Sequence, residues 1–170
     1  MIRITLLVSL ALLPAMAAEA AAQRLAQPAN PGASQANLSI TGKVGGKKLQ
    51  ASGSGSCRHA PDASIHGISA SLWMVQYGSS ADESVKELNL TLWRPKDGSP
   101  DQLSLALDGK SGEHRIETSA KGESKGEGSV TILPNGPGGR LEISGKDAGG
   151  KPIQITIDCP AFAGVQAEGG

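Results

Sequence analysis

The densest run of reactive side chains in the sequence is Cys57-Arg58-His59-Ala60-Pro61-Asp62-Ala63-Ser64-Ile65-His66. Two imidazoles seven residues apart, with a carboxylate between them, would make a partial ligand set if the segment folded back as a loop. A metal site needs three or four ligands in fixed geometry, and Cys57 is expected in a disulfide. The run therefore reads first as a hydrogen-bonded structural loop. The chemical alternative is a small enzyme or metal site assembled from Arg58, His59, Asp62 and His66. His114 stands alone in a strand-like segment and reads as exposed.

Trp73, Tyr77 and Trp93 offer a second kind of chemistry. Over Ile68–Tyr77 the aromatics alternate out of phase with Ala70, Leu72 and Met74. Those three match Leu88, Leu90 and Leu92 of the segment Val85–Arg94. If Tyr77 pairs near Val85, Trp73 falls opposite Asn89 and Trp93 opposite Ser69. The aromatics then line the side of the sheet away from the aliphatic core. Planar rings on an open sheet face grip sugars or peptides through stacking and buried apolar area. The plainer alternative is that a loop or the tail covers this face and the rings are core.

Signatures of the common catalytic folds are missing. Gly53-Ser54-Gly55-Ser56 lacks the spacing of a nucleophile elbow and falls in a predicted strand. Gly109-Lys110-Ser111 resembles the end of a phosphate loop, but the position of its first Gly holds Ser104. No zinc-protease, dinucleotide-binding or EF-hand pattern occurs. No catalytic residue, metal or cofactor is assigned.

The elements that would hold these residues are strands. From Asn37 to Cys159, period-two patterns recur between Gly, Pro and Asp clusters, and no helical period is sustained. A Gly45-Gly46 turn pairs Val44 with Lys47 and places Ile40 opposite Ala51, with Gly42 opposite Leu49. A further strand carries Leu103, Leu105 and Leu107, and a weaker one runs over His114–Ala120. Lys121–Gly128 reads as a solvated turn. If Asp147 pairs with Lys151, Ile143 meets Ile155 and Leu141 meets Ile157. Eight or nine short strands with such turns predict an all-β antiparallel domain, preferably a two-sheet sandwich and otherwise a small barrel.

Cys57 and Cys159 are the two cysteines, and both lie in phase with the apolar residues of their strands. They are expected to pair with each other in an oxidising compartment. That compartment is suggested by the start of the chain. Arg3, an apolar run over Ile4–Leu13, Pro14 and the small residues Ala15, Ala17, Ala18 and Ala20 have the order of a cleavable signal peptide. The run is too short for a membrane span, which needs roughly 20 apolar residues. The expected organisation is a signal peptide over 1–20 and a leader over 21–36. A single β domain over 37–160 and a tail over 161–170 follow, with Phe162 tucked at the sheet edge.

Formal net charge is zero, which disfavours nucleic acid and anionic membrane surfaces as partners. Gly supplies 23 of 170 residues, about twice the usual share of ~7%. In an alternating sequence that excess means many turns. The placement of one cysteine early and one in an Ile-rich closing strand resembles small exported antigen-type β lipoproteins of actinobacteria. No lipid-attachment cysteine stands near the cleavage region, so the resemblance implies no site. The expected function is a periplasmic or extracellular, non-enzymatic binding or interaction module for a glycan or peptide. An inhibitor of another exported protein, acting through a loop such as Pro95–Pro100, is the remaining alternative.

Overall fold

The computed structural model describes residues 35–80, 84–119 and 122–165. The expected signal peptide, nearly all of the leader and the last residues of the tail lie outside the described residues. Among the described residues ten strands follow one another: β1 (Ala36–Val44), β2 (Lys47–Ile65), β3 (Ile68–Gly78), β4 (Glu87–Pro95) and β5 (Gln102–Asp108). After them come β6 (His114–Glu117), β7 (Glu127–Asn135), β8 (Gly138–Lys146), β9 (Pro152–Cys159) and β10 (Ala163–Gly164). Hydrogen bonding runs without a break in the order β6-β5-β4-β3-β2-β1-β9-β8-β7, and β10 adds to β2. The two-sheet sandwich is not confirmed. One sheet coils on itself into a nearly closed barrel.

Two hairpins form as their turn residues dictate. Gly45 and Gly46 take φ values of 56° and 83°, the left-handed pair that a two-residue turn needs. Val44 then pairs with Lys47, Gly42 with Leu49 and Ile40 with Ala51. At the other end, the Asp147 N–H donates to the Lys151 carbonyl at 2.9 Å. Ile143 meets Ile155 and Leu141 meets Ile157. These inward residues are fully buried, and each aliphatic side chain so removed from water stabilises the fold by about 1.5–3 kcal/mol.

The disulfide forms as expected. Cys57 on β2 and Cys159 on β9 are bonded, with Cα atoms 6.0 Å apart and 102 residues between them in sequence. Both strands flank β1, and the bridge joins them near the start of that strand, where its hydrogen-bonding edge runs out. The chain after Cys159 then turns back. Ala163 and Gly164 pair in parallel with Arg58 and His59, and Phe162 packs against the core. The tail thus covers the edge of β2 that β1 leaves free.

The barrel closes imperfectly between β6 and β7. Glu117 and Lys125 exchange two backbone hydrogen bonds of 2.8 Å, and the Ala148 N–H donates to the Arg115 carbonyl at 3.0 Å. A Cβ on Gly128 would lie 3.0 Å from Leu103 Cδ2, so β7 returns close against β5. Arg94 completes the seam. Its guanidinium pairs with Asp101 at 2.8 Å and donates to the Val130 carbonyl at 3.1 Å. Of Lys121–Gly128, read as a solvated turn, Glu127 and Gly128 belong instead to β7.

Candidate functional site

The segment from Arg58 to His66 is not a loop. It continues β2 to Ile65, so its side chains alternate between the two sheet faces over roughly 25 Å. His59 points inward and stacks on Trp73, its pairing partner, with ring centroids 4.5 Å apart and planes 10° from parallel. Phe162 meets His59 edge-on at 6.0 Å. Burial lowers the imidazole pKa below its ordinary value. Asp62 sits in a bulge between Ala60 and Ala63. Its exposed carboxylate takes a 2.8 Å ion pair from Lys96, which lowers its pKa. His66 occupies the turn at the far hairpin tip with φ of 51°. The four residues are not brought together. Among the described residues, no group of three or more His, Cys, Asp or Glu stands close enough to hold a metal ion.

The aromatic residues divide between faces. Trp73 pairs with Leu92 and Tyr77 with Leu88; the expected partners, Asn89 and Val85, are not used. The β3–β4 register differs by three residues from the expected one, and an odd shift turns every side chain over. Trp73, Val75 and Tyr77 therefore join Leu88, Leu90 and Leu92 in the barrel core. Leu72 and Met74 face outward, where Trp93 pairs with Leu72 in place of the expected Ser69. Val85 is buried in the core but precedes β4. The single aromatic face does not form.

What forms instead is a banded outer surface across β2 to β5. One row, read from strand to strand, is Ala60, Leu72, Trp93 and Gln102. Ala60, Ala63 and Leu72 are buried beneath Met74, Trp93 and Val165, making a small apolar cluster outside the barrel. The next row is Arg58, Met74, Thr91 and Ser104, and the one after it Ser56, Gln76, Asn89 and Ala106. A partly buried indole thus borders a field of hydroxyl and amide groups. Farther along the same strands lies an open depression of about 500 Å³, lined by Ser54, Ser56, Arg58, Gln76, Lys86 and Glu87 among others.

His114 is a correction of a different kind. It is buried, and its Nδ1–H donates to Asp147 Oδ2 at 2.7 Å. The Nε2 atom lies 3.3 Å from the Ser111 carbonyl. Asp147 Oδ1 accepts from the N–H groups of Gly149 and Lys151 at 2.9 and 2.8 Å. Burial raises the Asp147 pKa, but the hydrogen bonds from His114, Lys151 and Gly149 outweigh it and leave the pKa lowered. The pair locks β6 to the β8–β9 turn. One signal for it was present in the sequence: His114 stands two residues before Ile116, on the inward phase.

Among the described residues, no helix is long and apolar enough to cross a membrane. Comparison with protein-family models, with curated proteins and with solved structures finds no match to this chain.

Proposed function

We propose that the chain is an exported, non-enzymatic glycan-binding module whose contact surface is the outer face of β2–β5 around Trp93. The observation that carries this reading is the position of Trp93. It is only partly buried, lies outside the barrel, pairs with Leu72 and Gln102, and has Thr91 and Ser104 in the next row of the same face. A sugar presents an apolar ring face to an indole and a rim of hydroxyls to amides and alcohols, so this surface has the matching chemistry. The buried titratable pair, His114 and Asp147, spends its hydrogen bonds on structure. The disulfide is consistent with an oxidising, extracytoplasmic location.

The test is a titration of tryptophan emission with oligosaccharides of N-acetylglucosamine in a Trp73→Phe background, where Trp93 is the reporter. Saturable change supports the reading. An unchanged spectrum with every glycan tried would sink it.

A further inference from the structure

We infer that the depression lined by Arg58 and Lys86 is a carboxylate subsite, so that the preferred glycan is an acidic one. This rests on the glycan reading above and adds to it the charge of the ligand. Arg58 stands at its edge, and its Nε is covered from solvent without a hydrogen-bond partner. Buried guanidinium donors are normally satisfied, and an orphaned one marks a place where an acceptor is wanted. A carboxylate is the acceptor whose two oxygens match the guanidinium fork.

The surroundings fit an anion of that size. Lys86 lines the same depression, and no ion pair engages Arg58 or Lys86 among the described residues. The one carboxylate among the described lining residues, Glu87, accepts a 2.6 Å hydrogen bond from Asn89 Nδ2. The Ser54 hydroxyl donates to Gln35 Oε1 at 2.6 Å. Ser56 and Gln76 supply further hydroxyl and amide groups at the wall. Arg58 and Trp93 are separated by two strand spacings and two residues, about 12 Å between Cα atoms. That is about the length of a disaccharide. One sugar ring on Trp93 would therefore place a substituent of the next ring near Arg58.

Two disaccharides distinguish this idea from simple sugar binding. The neutral N-acetylglucosamine dimer and N-acetylglucosaminyl-N-acetylmuramic acid differ chiefly in the lactyl carboxylate of the latter. Isothermal titration of the full domain should show the acidic sugar bound about tenfold more tightly, with a preference that shrinks as salt is raised. Arg58→Gln should bring the two sugars to equal affinity, and Lys86→Gln, at an exposed position, should cut the preference about threefold. Trp93→Ala should weaken both sugars alike. Equal affinities in the wild-type domain, or a preference that survives in both Arg58→Gln and Lys86→Gln, would overturn the carboxylate subsite while leaving the glycan reading standing. Failure of both sugars to bind the wild-type domain would overturn both readings.

Discussion

Trp73 of β3 lies opposite Leu92 of β4, so the larger aromatic side chain of this strand is turned into the barrel and Trp93, one residue beyond Leu92, is turned out. That relationship decides which tryptophan belongs to the core and which to the surface. Trp73 is held by His59, stacked at 4.5 Å, and by the Arg94 guanidinium 5.5 Å from its ring centre. These contacts serve the barrel end. Among the described residues Trp93 has no such stack, and it packs against the small cluster of Ala60, Ala63 and Leu72.

The His114–Asp147 pair should make stability acid-sensitive. The folded Asp147 pKa lies below its ordinary value of 3.8, so the folded state holds fewer protons than the unfolded chain in that region. Its contribution is fully present above the ordinary value and is lost as pH falls through the lowered folded one. Asp147→Ala, which leaves His114 buried without its partner, should cost about 3 kcal/mol. Denaturant melts of both proteins from neutral to strongly acid pH check this. A variant as stable as the parent, with an identical acid profile, would contradict it.

Reducing the disulfide should destabilise the domain without changing its strand content at neutral pH. The bridge closes a loop of about a hundred residues, for which chain entropy gives roughly 4–5 kcal/mol as an upper figure. It also holds the chain just before Phe162 and β10. Hydrogen exchange with and without reductant should show the earliest loss of protection at Ala163 and Gly164. Uniform loss across the barrel would argue against a local role for the tail.

Arg94→Ala should loosen the seam. Its ion pair with Asp101 is partly exposed, so the direct loss is about 1 kcal/mol. The larger consequence is that the Val130 carbonyl of β7 loses its donor on a strand whose outer edge carries the exposed Leu133. An uncovered edge invites pairing with another chain. Light scattering should show concentration-dependent association of the variant and a monodisperse parent; equal behaviour would refute the guarding role of Arg94.

Gly42→Ala should be poorly tolerated. A Cβ there would sit 2.1 Å from the Gln154 carbonyl oxygen and 2.9 Å from Ile155 Cα, both backbone atoms of β9. Strand separation would have to yield, at a cost of about 1–3 kcal/mol. Gly46→Ala, where nothing lies within 4 Å but φ is 83°, separates steric from conformational cost. Thermal melts that place Gly42→Ala level with the parent would count against the close approach of β1 and β9.

The parts of the fold that were legible in sequence are those where turn chemistry and apolar phase speak together. Gly45-Gly46 and Asp147–Lys151 are short connections, so pairing is fixed by counting outward from the turn. The β3–β4 connection runs from Ser79 to Lys86, and its length leaves the register free. Leu72, Met74 and Val75 offer apolar residues on both phases of β3, so the pattern alone does not choose a face. The choice is made by Cys57 and His59 of β2, whose pairing with Val75 and Trp73 turns the odd residues inward. Closure of the barrel was hidden for a related reason: its seam is made by Arg94, Asp101 and His114, side chains that local patterning assigns to the surface. The extended outer face follows from the same register, and so does the placing of Trp93 and Arg58 on one face.

Whether the outer face binds sugar through Trp93 is read most directly from the emission of that residue. In the Trp73→Phe protein, emission from Trp93 is followed while the N-acetylglucosamine dimer and its muramic acid counterpart are added. Sugar binding at this face should give a saturable shift of Trp93 emission, abolished by Leu72→Lys beneath the ring in a protein that remains folded by circular dichroism. An emission spectrum that stays constant throughout both titrations, in a folded protein, would contradict it.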